Sequence, residues 1–567
     1  MSHKRPVKVV FCWHMHQPYY RDVQGKYELP WTYLHGIKDY VDMAAHLEAV
    51  AGAKAVVNFT PTLLEQIDDY GKQINACMSS GEAISDPLLA ALVGPGLPED
   101  PAVRDQLMSD CLRANENRLI NPYPAFKRLV ETIRWTRHHS DTAYLNDQFL
   151  ADLLMWYHLA WLGASVRRGD SRVMGLLEKE SGYTLQDRRL LVEIIGELLS
   201  NIIHRYKGLH EQGKVELSVT PYGHPIVPLM LDFKSAGQAQ PDVHLPESDK
   251  YPGGLERVCW HIEKGIECFE RYFGFRPQGC WPAEGAVSTE TLKLLEKAGF
   301  IWAATGETVL ANSLRADPNG SQPENDNHWL HQPYCLDGGK MACFFRDDGL
   351  SDAIGFTYSS WHAEDAVSNL VHHLENIAAA THESQDVVVS IIMDGENAWE
   401  YYPDNGYYFL SQMYHVIAHH PGIELTTFSE CLQNKVKPRP VKSIVAGSWV
   451  YGTFSTWIGD KDKNRAWDML VEAKHAFDRA LSAGLDEDKR RLVERQLAIC
   501  EGSDWCWWFG DYNPSQTVSD FDRLYRQHLG NLYHLLEIDL PEYLEHAFSH
   551  GGGEPATGGV MRRGKES

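Results

Sequence analysis

The 567-residue chain has no CxxC pair and no HExxH element, and its 11 cysteines, an odd number, are scattered. Neither a zinc framework nor a disulfide scaffold is indicated, and a reducing compartment fits that cysteine usage best. No window approaches the ~18 apolar residues that a membrane span requires. The first apolar run, Val7 to Cys12, is interrupted by Lys8 and too short for a signal-peptide core, so a cytoplasmic protein is expected. Positive charge is also scarce: 53 Lys and Arg stand against 77 Asp and Glu, a formal charge of −24. That balance repels nucleic acid and anionic membrane and suits a neutral or cationic ligand, although solubility accounts for it equally well.

What is present is an ordinary globular composition, 43% hydrophobic and 23% charged, long enough for a large core with attached units. Val387 to Met393, apolar but for Ser390 and rich in β-branched residues, reads as a strand buried on both faces, as in a parallel sheet covered by helices. Similar signals recur at Val7 to Cys12, Ala53 to Phe59, Val215 to Val219, just before Trp281, at Phe300 to Ala304, Met341 to Phe345 and Ile423 to Thr427. Between about residues 86 and 211 the spacing turns helical, as in ADLLMWYHLAWLG and DRRLLVEIIGELLSNIIHRY. Seven or eight β segments separated by helices predict an α/β barrel over about residues 1–440, carrying a helical insertion. A helical C-terminal region over 441–548 and a disordered tail over 549–567, HGGGEPATGGVMRRGKES in its glycine-rich part, are expected to follow.

In such a barrel the strand C-termini meet substrate. Asp394 is released directly from the strand ending at Met393, and either works there or caps the following turn. Glu284 sits in a Pro-Ala-Glu-Gly turn just past another strand, where no packing role for a carboxylate is obvious. His14 and His16 alternate with Trp13 and Met15 and so share one side of the first strand end. They could bind metal, hold sugar hydroxyls or satisfy core hydrogen bonds. No third metal ligand is evident beside them, and the DxH spacings Asp242/His244 and Asp326/His328 lie in loop-like stretches. Glu216 shares the polar face of its strand with Ser218 and needs an interior partner or a substrate hydroxyl. Trp505, Trp507, Trp508 and Phe509 cannot all point into one core, and an aromatic face is a natural platform for a pyranose ring. Paired carboxylates, a double-histidine strand end and a tryptophan cluster together describe a site for glycosidic bonds.

At this point the sequence resembles glycoside hydrolase family 57. WHMHQP looks like its first motif, GKVELSVTPYGHP its second, CWPAEG its third, MDGEN its fourth and EGSDWCWW its fifth, in the family's order and spanning residues 13 to 508. The resemblance implies an incomplete (β/α)7 barrel closed by a helical region, and a retaining double displacement on α-glucans without a cofactor or catalytic metal. By motif position Glu284 would be the nucleophile and Asp394 the general acid/base. His14, His16, Gln17, Glu216, His224, Trp281, Asp504 and Trp505 would fall on substrate-binding positions. Family members act as α-amylases, amylopullulanases, glucanotransferases, branching enzymes or α-galactosidases. HMHQPYY, YELPWTYLHGIKDY and SDWCWW look most like the amylase and amylopullulanase branch. One departure is Gly306 in TGE, where the family pattern has an acidic residue. Related deacetylase and α-mannosidase barrels use a metal, and an inactive glucan-binding protein is a further alternative. The split of roles predicts an exposed, ionised Glu284 and an Asp394 whose pKa is raised by burial and by Glu396.

Overall fold

The computed structural model describes residues 6–138, 145–317, 322–323, 328–380, 386–553 and 561–564. The sheet is organised around β1 (Val7–Met15), whose nine residues are all buried. It pairs in parallel with β2 (Ala55–Phe59) on one side and β8 (Val388–Asp394) on the other. The path continues through β3 (Val215–Val219), β4 (Gly279–Cys280), β5 (Trp302–Gly306) and β7 (Ala342–Arg346), each parallel to the last. Arg346 on β7 then pairs with Ser390 on β8 and closes the ring. The result is the expected (β/α)7 barrel. Strands covered by helices outside and packed side chains inside are apolar on both faces, which is why β8 up to Met393 reads as a hydrophobic run broken only by Ser390.

Three short strands lie outside the ring. β9 (Ile423–Leu425) pairs with the start of β1, while β6 (Tyr334–Leu336) lies antiparallel to β7 and is joined by β10 (Arg439–Val441). β6 and β10 have no counterpart in the sequence reading; three residues are too few for alternation to register.

Between β2 and β3 the described chain is helical, from Pro61–Ser80 to the 27-residue helix Leu185–Glu211, whose start carries a Thr184/Asp187 capping box. After the barrel come Lys461–Ala483, Glu487–Cys500, Asp504–Trp508 and Ser515–Leu535. This region is tied to the barrel-side helix Gly254–Phe273 by Glu501, which takes two guanidinium hydrogen bonds at 2.8 and 2.9 Å from Arg257 and sits 2.8 Å from His261 Nε2. Of the stretch expected as a disordered tail, residues 549–553 and 561–564 are described, and these are held by specific contacts. Ser549 Oγ donates to Asp462 and Gly564 N–H donates to Asp352. Among the described residues no helix is long and apolar enough to cross a membrane.

Candidate active site

Glu284 follows β4 in a one-turn 3-10 segment and has φ +57°, a left-handed conformation that a residue with a Cβ adopts at a cost. A loop residue, Trp449, holds it there. The Trp449 backbone N–H donates to the Glu284 carbonyl at 3.1 Å, and its indole N–H donates to Glu284 Oε2 at 3.0 Å. Gly306 explains its own departure from the family pattern. A Cβ at 306 would lie 2.7 Å from the Trp449 Cα, so no side chain, acidic or otherwise, fits at the end of β5 while Trp449 is in place.

Asp394 ends β8 in register with His14 on β1, and accepts a 2.9 Å hydrogen bond from the Asn397 amide. Glu284 senses the Asp394 charge. Burial pushes Glu284 up to about 8, with the Asp394 charge adding to the shift and the Trp449 hydrogen bond opposing it. Burial likewise raises Asp394 to about 6, against Asn397, His16 and Arg346. An exposed, ionised Glu284 is therefore not what the fold provides. It is partly buried, and it holds a proton to higher pH than Asp394 does, because burial and the Asp394 and Asp504 charges outweigh the Trp449 hydrogen bond and the Arg562 charge that favour its anion. Glu396, two residues on, is buried and raised well above its ordinary value by burial and Asp394. Its Oε1 accepts from the Gln17 amide at 3.3 Å, whereas Oε2 has no partner among the described residues.

Three imidazoles line the wall beside the pair. His16 Nε2 lies 2.6 Å from Asp504 Oδ1 and its Nδ1 lies 3.1 Å from Thr60 Oγ1. His14 Nε2 lies 3.1 Å from His224 Nε2, while the outer nitrogens reach Asn58 Oδ1 and Ser503 Oγ at 2.7 and 2.8 Å. Burial depresses His14 to about 3 and His224 well below the ordinary histidine value, so both are neutral. The missing third ligand beside the histidine pair is thus supplied by tertiary structure: His14, His16 and His224 each place a nitrogen within 4.8 Å of the others, a set that could hold a cation. The imidazole nitrogens are also taken up in two hydrogen-bonded sets, Asn58–His14–His224–Ser503 and Thr60–His16–Asp504.

The structure brings Glu284, Asp394, His16 and Asp504 into one electrostatic neighbourhood, with His14, His224 and Gln17 buried behind them. Trp281 is wholly buried and meets Trp449 edge-on at 5.2 Å, so it backs Trp449 rather than facing the cleft. Trp505 and Glu216, also expected as substrate contacts, are packed against protein groups. Trp505 is buried among Phe521, Tyr525 and His528 with its indole N–H on the Ile499 carbonyl, so it is core and not a sugar platform. Glu216 lies in the lower barrel interior, level with Cys12 and Val56. Its carboxylate takes hydrogen bonds from the Trp302 indole at 2.6 Å and from the backbone and hydroxyl of Ser429, at the start of the helix Phe428–Gln433. It meets a helix N-terminus and not a substrate.

With this geometry in hand, the family description "Glycosyl hydrolase family 57" matches residues 10–446. The chain belongs to glycosyl hydrolase family 57. It is therefore a member of an enzyme family, a glycoside hydrolase by descent, with the catalytic barrel inside the matched range. Similar folds are those of family 57 branching enzymes from Thermococcus kodakaraensis (TM-score 0.56, 16% identity, covering 96% of this chain and 92% of that one) and Pyrococcus horikoshii (0.54, 16%, 97% and 99%). The α-amylase AmyC of Thermotoga maritima is similar too (0.55, 13%, 95% of each). No curated protein matches the sequence.

Family 57 motifs did not reveal Trp449, Arg346 or Arg562, and Trp507, inside the fifth motif, carried no role of its own. Arg346, at the end of β7, pairs with Asp348 and Asp352 and lies 5.5 Å from the Trp449 ring. Together with Met393, Asp394, Trp449, Val450 and Trp507 it lines the cleft on the Asp394 side. A lone arginine at a strand end is a weak signal, and Trp449 stands in a loop with no periodicity, so only contact could find them.

Proposed function

We propose that this enzyme cleaves α-glucans, α-1,4-linked and in some substrates α-1,6-linked, with retention of anomeric configuration. The observation that carries the reading is the placement of Glu284 and Asp394 on different strand ends of one barrel mouth, close enough that the Asp394 charge raises the Glu284 pKa. Their order along the chain matches the family's third and fourth motifs.

In the first step Glu284 Oε attacks the anomeric carbon as the glycosidic bond breaks, and Asp394 gives its proton to the departing oxygen. In the second, Asp394 takes a proton from water, whose oxygen displaces Glu284 and restores the α-configuration. One proton shared by the pair is the working state. In the free enzyme Glu284 holds it more tightly. A substrate oxygen accepting from Asp394, and positive charge growing at the anomeric carbon next to Glu284, both favour the proton on Asp394. Trp449 supports the nucleophile by donating to its anion. His16 and Asp504, whose side chains are 11% and 12% exposed, are the polar groups offered to sugar hydroxyls, and buried His14 and His224 fix their positions.

Carboxylates supply both the nucleophile and the acid, so we assign the three histidines to orientation, without a catalytic metal. Zinc that restored chelator-abolished turnover would overturn this. Cysteine usage supports a cytoplasmic setting, with all eleven thiols free. The reading is tested by product analysis on maltooligosaccharides, soluble starch and pullulan with anomeric NMR of the first product. α-Anomeric products from starch are expected; β-anomeric products would refute retention, and absence of turnover on every α-glucan would refute the reading. Transfer to a second glucan is the second activity to measure, because two of the similar folds are branching enzymes.

A further inference from the structure

The cleft beside Asp394 is not lined by the barrel alone. Met561, Arg562 and Gly564, from the C-terminal end of the chain, form part of its wall. Arg562 lies 4.5 Å over the Trp507 ring and donates to Thr456 Oγ1 at 3.0 Å, to the Trp507 carbonyl at 3.2 Å and to the Tyr512 hydroxyl at 3.3 Å. Arg563 stands 5.0 Å over Phe356. Gly564 donates to Asp352, and its carbonyl accepts from the Tyr451 backbone. It presses so closely on the Asp348 carboxylate that a Cβ at 564 would overlap it.

With these residues seated, the open space beside Asp394 is about 30 Å³, room for one or two waters and far too little for a pyranose ring. Yet the surface beneath them has what a sugar site needs, namely the indoles Trp449 and Trp507 and the hydrogen-bonding groups Arg346, Asp348 and Asp352. A guanidinium on an indole face and peptide groups on carboxylates are the contacts a glucosyl ring and its hydroxyls would make in their place.

We propose that Met561–Gly564 is a specificity-determining segment that occupies the acceptor side of the catalytic cleft and is displaced by the reducing-end part of an α-glucan. The inference rests on the assignment of Asp394 as acid/base, which makes its side of the cleft the leaving-group side. Water reaches Asp394 with the segment seated, whereas a sugar there must first expel it. Apparent affinity for long glucans is therefore reduced by the fraction of molecules in which the segment is out.

The test uses the full chain with Arg562→Ala, which removes the anchor, and Gly564→Ala, which removes no contact but expels the segment from Asp348. Each is compared with wild type on a maltooligosaccharide series. Both variants are expected to lower KM about 5-fold on chains long enough to span the cleft, less on short ones, and to raise the ratio of transfer to hydrolysis when maltose is added. Arg562→Lys, which keeps charge but not the fork, should fall between. In wild type, maltoheptaose should speed tryptic cleavage after Arg562 and Arg563. A rise in KM in both variants would make the segment a fixed wall of the sugar site and overturn the proposal. So would maltoheptaose that is turned over while leaving that cleavage unchanged or slower. If wild type and variants all leave every α-glucan intact, the proposed function fails first, and this inference with it.

Discussion

Two places in this molecule that enclose carboxylates have opposite electrostatics. Glu501 is fully buried where the C-terminal helices meet the barrel, and although burial works to raise its pKa, Arg257 and then His261 hold it down to about 2. Tyr251 donates to the same carboxylate, so each oxygen is satisfied. Glu284, Asp394 and Glu396 are also enclosed, but their near partners are an indole, two amides, a backbone N–H and one another. They are raised, and Glu396 keeps one oxygen unpaired. A buried carboxylate with a guanidinium is an anchor; enclosed carboxylates near one another, without such a partner, hold their protons to higher pH, at a cost in stability.

The contrast is broken most directly by removing the charges. Glu284→Ala and Asp394→Ala should each lower kcat by about 10³-fold or more while the protein stays folded. Azide should return a β-glycosyl azide with Glu284→Ala and an α-glycosyl azide with Asp394→Ala; exchanged products would reverse the roles. At the anchor the expectation is the opposite. Glu501→Gln leaves Arg257 buried and unpaired and should cost about 3–5 kcal/mol of stability, read as a lower Tm, with kcat of the folded fraction near wild type.

Proton linkage sharpens the comparison. Glu284 has a folded pKa of about 8, above the ordinary value of 4.5. Between those values the unfolded chain has lost the proton and the native state still binds it, so this group makes stability fall as pH rises from about 4.5 to about 8. Glu284→Gln should therefore raise Tm at pH 8.5 and leave it unchanged at pH 4. Glu501, depressed to about 2, contributes stability that is present above its unfolded pKa and lost as pH falls toward 2. On the proposed mechanism, in which one proton on the Glu284 and Asp394 pair is the working state, kcat/KM should rise through about pH 6 and decline above about pH 8. Trp449→Phe, which deletes the donor to the Glu284 anion, should move the upper limb higher and lower kcat about 10-fold; an unmoved limb would show that the indole does not act on Glu284.

The smallest kinetic effect is expected at Glu216. Glu216→Gln should lower Tm, because Trp302 and Ser429 lose an anionic acceptor, and leave kcat within about 2-fold of wild type. A selective loss of turnover would return Glu216 to the substrate site.

Much of this protein was legible in the sequence because the signals are local. β8 announces itself through seven consecutive strand residues, the helix Gly254–Phe273 through its apolar stripe and its terminal Gly274 at φ +83°, and Ser288 through its place just before a helix that it caps. Glu284 and Asp394 stand out as candidates because a carboxylate at a parallel strand end is unusual in any one segment. What tertiary structure alone decided is every property that depends on what lies opposite. Glu216 and Glu284 are both glutamates near strands, yet one meets a serine at a helix start and the other meets the Trp449 indole within reach of the Asp394 charge. Trp505 and Trp507 are two positions apart on one helical turn, and only packing sends the first into the core and the second toward the cleft. His224 joins His14 across 210 residues, Trp449 reaches Glu284 across 165, and Arg562 returns from the far end of the chain to Trp507. Spacing along a chain fixes which side chains share a strand or a helix face. Burial, hydrogen bonding and charge, which set a pKa and open or close a cleft, act through space between segments that spacing never compares.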